Sequence, residues 1–151
     1  MEEFVLITEK NFEKLRKRIQ ELKNQNKKVI FTSEDDELNR KVLEKLEINV
    51  LLLNLAKRKD FQKQRNSGFN QVLAKTAGKN SVIIGINLDE IISVRGEEKS
   101  EILGRVMQNI RLCNKNNLKM KFISEKYDRN IYDLRALGLV LGMPTWMIKD
   151  L

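Results

Sequence analysis

The sequence predicts an α/β protein in which βα units repeat and the strands form a parallel sheet, open or closed only partway into a barrel. Two patterns predict this fold class. Short apolar runs with little alternation indicate strands that are covered on both faces. Longer segments between these runs repeat apolar residues at helical spacing. A closed eight-stranded barrel usually takes about 200 residues or more, and the chain has 151. With one proline and seven glycines it has little room for a linker, so we predict a single domain over residues 1–151.

Five apolar runs are the predicted strands, at residues 4–7, 29–32, 50–53, 82–86 and 120–123. Strands joined by right-handed βα crossovers run parallel, so their carboxyl ends meet at one edge of the sheet. In folds of this kind the working surface lies at that edge. We therefore expect the functional residues in the loops that follow the strands.

The segments between the strands carry apolar stripes that indicate five amphipathic helices. The stripes are Phe12, Leu15, Ile19 and Leu22; Leu38, Val42 and Leu46; Phe69, Val72 and Leu73; Ile102, Val106, Ile110 and Cys113; and Ile131, Leu134, Leu137, Gly138 and Leu141. Thr8, Ser33 and Asn130 precede three of these helices and are the predicted N-caps. The fourth helix is expected over residues 100–116.

Composition excludes several classes of chemistry. The chain has no histidine, and zinc hydrolase sites, Ser-His-Asp triads and Cys-His pairs all require one. Its one cysteine, Cys113, lies in an apolar stripe and is expected in the core. A magnesium site made of carboxylates stays open, because hard cations accept oxygen ligands. The acidic groups after the strands more often cap helices. The candidate ligands of such a magnesium site are the carboxylates after the strands: Glu34, Asp35, Asp36, Asp89, Glu90 and Glu125.

Charge and hydropathy bear on location and partners. The formal charge is +8, from 29 Lys and Arg against 21 Asp and Glu, which suits a polyanionic partner as well as it suits a solvated basic surface. No apolar run approaches the roughly 20 residues of a membrane span. The acidic residues that follow Met1 differ from the basic start of a signal peptide. We therefore expect a cytoplasmic protein.

The segment of residues 57–70, named here the basic loop, has five basic residues against one acid, Asp60. Arginine and lysine suit phosphate contacts, and asparagine can bond phosphate, sugar or base edges. Phe61 either stacks on a base or anchors the loop to the core, whereas Phe69 begins a helical stripe and is expected in the core. The candidate RNA-binding residues of the basic loop are Lys57, Arg58, Lys59, Lys63, Arg65 and Asn66.

The helix expected over residues 100–116 has a second basic surface. At 100° per residue, Gly104, Arg105, Gln108, Arg111 and Lys115 fall on the arc opposite the apolar stripe. Arg111 and Lys115 also lie near the helix C-terminus, where positive charge is favourable without any ligand. That alternative leaves Gly104, Arg105 and Gln108 unexplained, so this surface is a second candidate for RNA.

Four ordered blocks give the chain a resemblance to a known family. They are the segments at residues 58–75, 82–86, 103–113 and 132–143. On these blocks the sequence resembles archaeal ribonuclease P protein component 3. The resemblance implies a TIM-barrel-like fold related to the polymerase-and-histidinol-phosphatase (PHP) superfamily, without the metal centre of that superfamily. It also implies a short form, with fewer βα units than is usual in the family.

The same resemblance implies a function and partners. The implied function is a non-catalytic subunit of ribonuclease P, in which the RNA subunit, with magnesium, removes the 5′ leader from precursor tRNA. The implied partners are ribonuclease P RNA and ribonuclease P protein component 2, with precursor tRNA contacted indirectly. Lys75 and Arg129 join the candidate RNA-binding residues by position. No catalytic residue and no bound cofactor or metal is expected on this chain. A small magnesium-dependent phosphoesterase of the PHP-like class is the alternative.

Overall fold

The computed structural model describes residues 2–151 and has one sheet of five parallel strands in the order β1-β2-β3-β4-β5. The strands are β1 (Phe4–Ile7), β2 (Lys28–Thr32), β3 (Val50–Leu53), β4 (Ile83–Asn87) and β5 (Met120–Ile123). Each strand pairs with the next along the chain, as in the register pairs Val5 with Val29 and Leu51 with Ile84. The repeated βα fold class and the open sheet are confirmed, with β1 and β5 at the edges.

Seven helices follow the strands within residues 2–151. They are α1 (Phe12–Asn24), α2 (Asp36–Lys45), α3 (Gln71–Lys79), α4 (Leu88–Ser93), α5 (Gly96–Lys115), α6 (Ile131–Leu141) and α7 (Thr145–Lys149). Helix α5 begins four residues before the predicted start at residue 100. Glu97 and Glu98 occupy its first turn, where acidic residues favour a helix N-terminus. Both α4 and α7 are too short to have produced a periodic signal. None of these helices is long and apolar enough to span a bilayer.

Two of the three predicted N-caps are wrong. The cap of α1 is Asn11, whose side chain accepts a hydrogen bond from the Lys14 N–H. The cap of α2 is Asp35, which accepts from the Glu37 and Leu38 N–H groups. Asparagine is a stronger cap than threonine. Serine caps as well as aspartate, but Ser33 lies two residues before Asp35 and its hydroxyl accepts from the Asp35 N–H instead. The predicted cap of α6, Asn130, is confirmed by its bond from the Asp133 N–H.

The main core lies where the helices cover one face of the sheet. Phe31, Leu51 and Ile84 of the central strands are fully buried there with Leu15 and Ile110 of the helices. Burying side chains of this size contributes roughly 1.5–3 kcal/mol each. Cys113 is buried among them as predicted, and its desolvation raises the pKa of the thiol to about 12.

The other face of the sheet carries a smaller cluster made of strand residues alone. Ile30, Val50 and Leu52 are buried there, with Phe4 and Leu6 partly buried around them. The strands were predicted to be covered on both faces, but helices cover only one face, and continuous burial along the strand is found in β2 and β3 and not in β1 or β5. Phe4, Leu6, Ile83 and Ile123 leave part of this apolar surface exposed.

Helix α3 differs from its predicted stripe. Phe69 is 6% exposed and lies in the core before the helix begins, but Val72 is 69% exposed. Asn70 caps α3 by accepting from the Leu73 N–H, which starts the helix later than the stripe suggested. The buried positions of α3 are therefore Leu73, Ala74 and Ala77.

Candidate nucleic-acid interface

The basic loop leaves the carboxyl end of β3 and lies against α5 before it reaches α3. Arg105 of α5 fixes this arrangement, and its side chain is 2% exposed. Its guanidinium donates to Asp60 Oδ1 at 3.1 Å, to the Leu55 carbonyl at 2.9 Å and to the Arg58 carbonyl at 2.7 Å. These bonds hold the first part of the loop down on the helix.

The burial of Arg105 corrects its predicted place on an exposed basic surface. The helical arc opposite the apolar stripe was assigned to solvent, but the basic loop covers the first part of that arc. A buried guanidinium is tolerated only with its donors satisfied, and here a carboxylate and two carbonyls accept from it. Arg105 therefore has no side-chain surface with which to contact RNA in this structure.

Arg58 is also held by the protein, with a side chain that is 10% exposed. Both of its terminal nitrogens lie 2.9 Å from the Asp36 carboxylate, and its Nε donates to the Asn54 carbonyl at 2.7 Å. Such two-point pairing is the strongest form of an arginine–carboxylate contact. A Cβ on Gly68 would lie 2.7 Å from the guanidinium. Gly68 has φ +67° as well, so both space and backbone require glycine here.

Gln108 and Arg65 join the far part of the basic loop to α5. The Arg65 N–H donates to Gln108 Oε1 at 3.0 Å, and Gln108 Nε2 donates back to the Arg65 carbonyl at 2.8 Å. The Arg65 guanidinium bonds Asp60 at 3.1 Å while 43% of its side chain stays exposed. It passes so close to Gly104 that a Cβ there would lie 2.5 Å from Arg65 Nε. Packing of the basic loop on α5 thus explains why Gly104 and Gln108 occur on this surface of the helix.

Asp60 is the centre of this network. Its carboxylate accepts from the Asn66 N–H at 2.9 Å and from the guanidinium groups of Arg105 and Arg65. Desolvation favours the protonated acid, but these hydrogen bonds and charges outweigh it and hold the pKa of Asp60 below its ordinary value. Asn66 is also committed, because its Oδ1 accepts from Arg58 at 3.1 Å. In the sequence, Asp60 stands out only as the one acidic residue of the basic loop, and its place at the centre of this network was not predicted.

The remaining candidate cations are exposed, and within residues 2–151 none has an ion-pair partner. They are Lys57, Lys59, Lys63, Lys75, Arg111, Lys115 and Arg129. Lys63 and Arg111 line one open cavity of about 580 Å³ with Arg65. Lys57 and Lys59 line a neighbouring cavity of about 640 Å³ at the carboxyl edge of the sheet.

The other three cations lie outside both cavities: Lys75 on α3, Lys115 at the end of α5 and Arg129 before α6. The structure thus brings Lys63 together with Arg111 in one cavity and Lys57 together with Lys59 in another. The RNA-binding role of the candidate residues other than Arg105 stays a prediction.

The acidic residues after the strands do not gather. Asp35 caps α2, Asp36 pairs with Arg58, and Asp89 accepts from three backbone N–H groups at residues 125–127. Those bonds and the charge of Lys126 outweigh desolvation and lower the pKa of Asp89. Among the described residues no group of three carboxylates or thiols could hold a metal ion.

A polar chain that sequence reasoning missed crosses the carboxyl edge of the sheet. Asn87 donates to Asn54 at 3.1 Å, and Asn54 donates to the Thr32 hydroxyl at 2.9 Å. Beside this chain, Glu90 accepts from the Leu55 and Ala56 N–H groups at 2.9 and 2.6 Å. Desolvation of Glu90 dominates and raises its pKa. The signal in the sequence was the polar residue at or just beyond the end of three adjacent strands.

Helix α6 presents an exposed apolar face. Tyr132, Leu139 and Val140 are 76%, 67% and 79% exposed, and their spacing places them on one side of the helix. The opposite side of α6 packs into the core through Leu141 and the buried Gly138. Clustered apolar exposure of this kind marks interaction sites more often than isolated exposed residues do.

The fold and the basic loop define a class: a parallel α/β protein with a positively charged loop at the carboxyl edge of its sheet. The chain is similar to ribonuclease P protein component 3 of Methanosarcina acetivorans, with 30% identity over 141 residues. It is similar to the protein of the same name from Methanococcus maripaludis, with 26% identity over 138 residues. Each match covers 91% of this chain and 56% of the relative. No family model matches the chain.

The fold is also found among solved structures. A chain in the cryo-EM structure of archaeal ribonuclease P with mature tRNA superposes with a TM-score of 0.76 at 23% identity, covering 95% of this chain and 62% of that one. The sequence matches confirm the resemblance to ribonuclease P protein component 3, and the solved structure confirms the fold. The chain spans little more than half the length of the relatives it matches.

Proposed function

We propose that the chain is a non-catalytic, RNA-binding protein subunit of ribonuclease P, which supports RNA-catalysed removal of the 5′ leader from precursor tRNA. The observation that carries the proposal is a set of exposed lysines without ion-pair partners in residues 2–151, held on an anchored loop. Lys57, Lys59 and Lys63 can neutralise phosphates and release condensed counterions, and they break no ion pair within residues 2–151 when they do so. The component 3 relatives support the choice of RNA.

Two partners follow from this proposal. Ribonuclease P RNA contacts the basic loop, and ribonuclease P protein component 2 packs on the exposed apolar face of α6, where Tyr132 and Val140 suit a protein surface better than a polyanion. Precursor tRNA is contacted indirectly. Magnesium associates with the RNA subunit, this chain binds no cofactor of its own, and the assembly works in the cytoplasm.

The alternative, a carboxylate and magnesium phosphoesterase, has less support. It needs the carboxylates at the strand ends to converge on one metal. Asp35, Asp36 and Asp89 are committed to a helix cap, an ion pair and backbone N–H groups respectively. No turnover of phosphate esters by the isolated protein with magnesium or manganese is expected.

Reconstitution tests the proposed function directly. Precursor tRNA cleavage is measured with the cognate RNA and component 2, with and without this chain, across a magnesium titration. Omission is expected to raise the magnesium concentration needed for half-maximal cleavage, because a basic protein replaces part of the counterion demand of the folded RNA. Cleavage by the protein alone, or no change on omission, would contradict the proposal.

A charge variant tests the assignment of the basic loop. Lys57, Lys59 and Lys63 are changed together to Gln, leaving Arg58 and Arg65 to hold the loop. The matched control changes Lys10, Lys14 and Lys17, which are also exposed and have no ion-pair partner within residues 2–151. The plot of log affinity against log salt has a negative slope, and in the loop variant this slope is expected to be shallower by about two to three. Equal losses in both variants would mean that the basic loop has no special role.

A further inference from the structure

Phe61 projects from an anchored loop instead of holding it down. The side chain is 59% exposed, so its role as a hydrophobic anchor is wrong and the other interpretation of Phe61 stays open. The backbone beneath it is fixed: the Phe61 N–H donates to the Gln64 carbonyl at 3.0 Å, and the adjacent Asp60 bonds Arg105 and Arg65. Exposing an aromatic ring on a held backbone loses the stabilisation that its burial would give.

The ring lies at the rim of a cavity with a distinct chemistry. The cavity of about 580 Å³ lies between the basic loop and α5, and Met107 adds a second apolar side chain to its wall. Lys63 and Arg111 line the same cavity, and neither has an ion-pair partner within residues 2–151. Among the described residues that line it, the only acid is Asp60, whose charge Arg105 and Arg65 already compensate.

An aromatic ring, an apolar wall and unpaired cations fit one ligand chemistry. A nucleobase offers a flat face to stack on an aromatic ring, and the backbone phosphates on either side of its nucleotide suit the neighbouring cations. A base inside a duplex has no free face, so the occupant must be unpaired. A protein partner fits less well, because interface cores are depleted in lysine, and two cations here would need acidic counterparts.

We propose that this cavity holds one unpaired nucleobase of RNA, stacked on the Phe61 ring, with the adjoining phosphates contacted by Lys63 and Arg111. The site rests on the proposed RNA-binding function and specifies it: the protein reads an unstacked nucleotide in addition to backbone charge. Stacking tolerates any base, because every base has a π face. The site therefore selects single-stranded over paired RNA without selecting a sequence.

Two substitutions of Phe61 separate stacking from charge. Phe61→Leu keeps an apolar side chain without an aromatic face, and Phe61→Trp enlarges that face. Tyr127→Leu is the control, because it removes a partly exposed aromatic ring that does not line the cavity. The full chain is titrated with a single-stranded RNA octamer, with the same octamer annealed to its complement, and with the cognate ribonuclease P RNA.

The expected result is that Phe61→Leu binds the single strand about tenfold more weakly, with an unchanged salt slope and unchanged urea stability. Tyr127→Leu should bind as the wild type does. Phe61→Trp should keep the affinity and show quenching of its added tryptophan by the single strand but not by the duplex. The wild type, with Trp146 alone, gives the fluorescence background.

Other outcomes separate the two proposals. The stacking site is overturned if Phe61→Leu leaves single-strand affinity unchanged and the added tryptophan of Phe61→Trp stays unquenched. The proposed function still stands in that case, provided that the wild type binds the ribonuclease P RNA. The same holds if the wild type binds the long RNA and not the octamer. If the wild type binds neither the octamer nor the long RNA, both proposals fail.

Discussion

The inner and outer sides of the basic loop use positively charged side chains for opposite purposes. On the inner side, the buried Arg105 and the largely buried Arg58 donate to Asp60, Asp36 and backbone carbonyls. On the outer side, Lys57, Lys59 and Lys63 are exposed and have no ion-pair partner within residues 2–151. The same short segment thus holds cations that build the loop and cations that are free for a ligand.

The difference follows from the geometry of the two side chains. Arginine has five donors in a planar fork, so one side chain can satisfy a carboxylate and two carbonyls together. Lysine is a strongly hydrated point charge, which costs more to bury and gains less from fixed acceptors. A count of positive charges in a loop therefore overstates its capacity for phosphate unless buried arginines are subtracted.

Arg105→Ala is the strongest test of the inner side. The substitution leaves Asp60 without its buried partner and two carbonyls without a donor, so we expect a loss of about 3 kcal/mol in the free energy of unfolding. Lys63→Ala, on the outer side, should change it by about 0.5 kcal/mol or less. Urea unfolding followed by circular dichroism measures both. If the two variants lost similar stability, the division of the loop would be wrong.

The sequence predicted the sheet well because its signals are local. Apolar runs and helical periodicity located all five strands and five of the seven helices in residues 2–151. The buried Cys113 and Phe69 were also predicted correctly. Each of these features depends on a residue's own neighbours in sequence, which is the information that a periodic pattern contains.

The candidate site was harder to predict because it depends on contacts across long stretches of chain. The Arg105–Asp60 pair spans 45 residues and the Arg58–Asp36 pair spans 22. Helical geometry correctly placed Arg105 opposite the apolar stripe, but it could not show that a loop covers that arc. Composition likewise gave the total charge without saying which cations are already paired.

The pH dependence of stability should differ in sign between Asp60 and Glu90. The pKa of Asp60 is lowered in the folded protein, so its contribution is present above the ordinary value of 3.8 and is lost as pH falls through the folded pKa. The stability advantage of the wild type over Asp60→Asn should therefore shrink as pH falls below about 4. Urea midpoints at a series of pH values measure it, and an advantage that is constant with pH would contradict the network around Asp60.

Glu90 lies outside that network and provides the opposite case. Its pKa is raised by desolvation, so its contribution is present below the ordinary value of 4.5 and is lost as pH rises through the folded pKa. The stability of the wild type relative to Glu90→Gln should therefore fall as pH rises above about 4.5. A trend in the same direction as that of Asp60→Asn would show that desolvation does not dominate at Glu90.

Gly104→Ala should have a small net effect, and it tests how Arg65 is placed between the two sides of the loop. Alanine favours the interior of α5 by up to about 1 kcal/mol. Its Cβ would lie 2.5 Å from Arg65 Nε, so the arginine must move and lose its half-exposed contact with Asp60, worth about 1 kcal/mol or less. The two effects oppose each other, and the net change in unfolding free energy should be under about 1 kcal/mol.

A double-mutant cycle separates these two opposing effects. In an Arg65→Ala background no guanidinium remains to be displaced, so Gly104→Ala should give the full helical gain there and a smaller gain in the wild type. The coupling between the two substitutions then measures how much the fit of Arg65 over Gly104 stabilises the loop. Additive effects would mean that Arg65 belongs entirely to the outer side, with Lys63, and that its ion pair with Asp60 adds nothing to the anchoring of the loop.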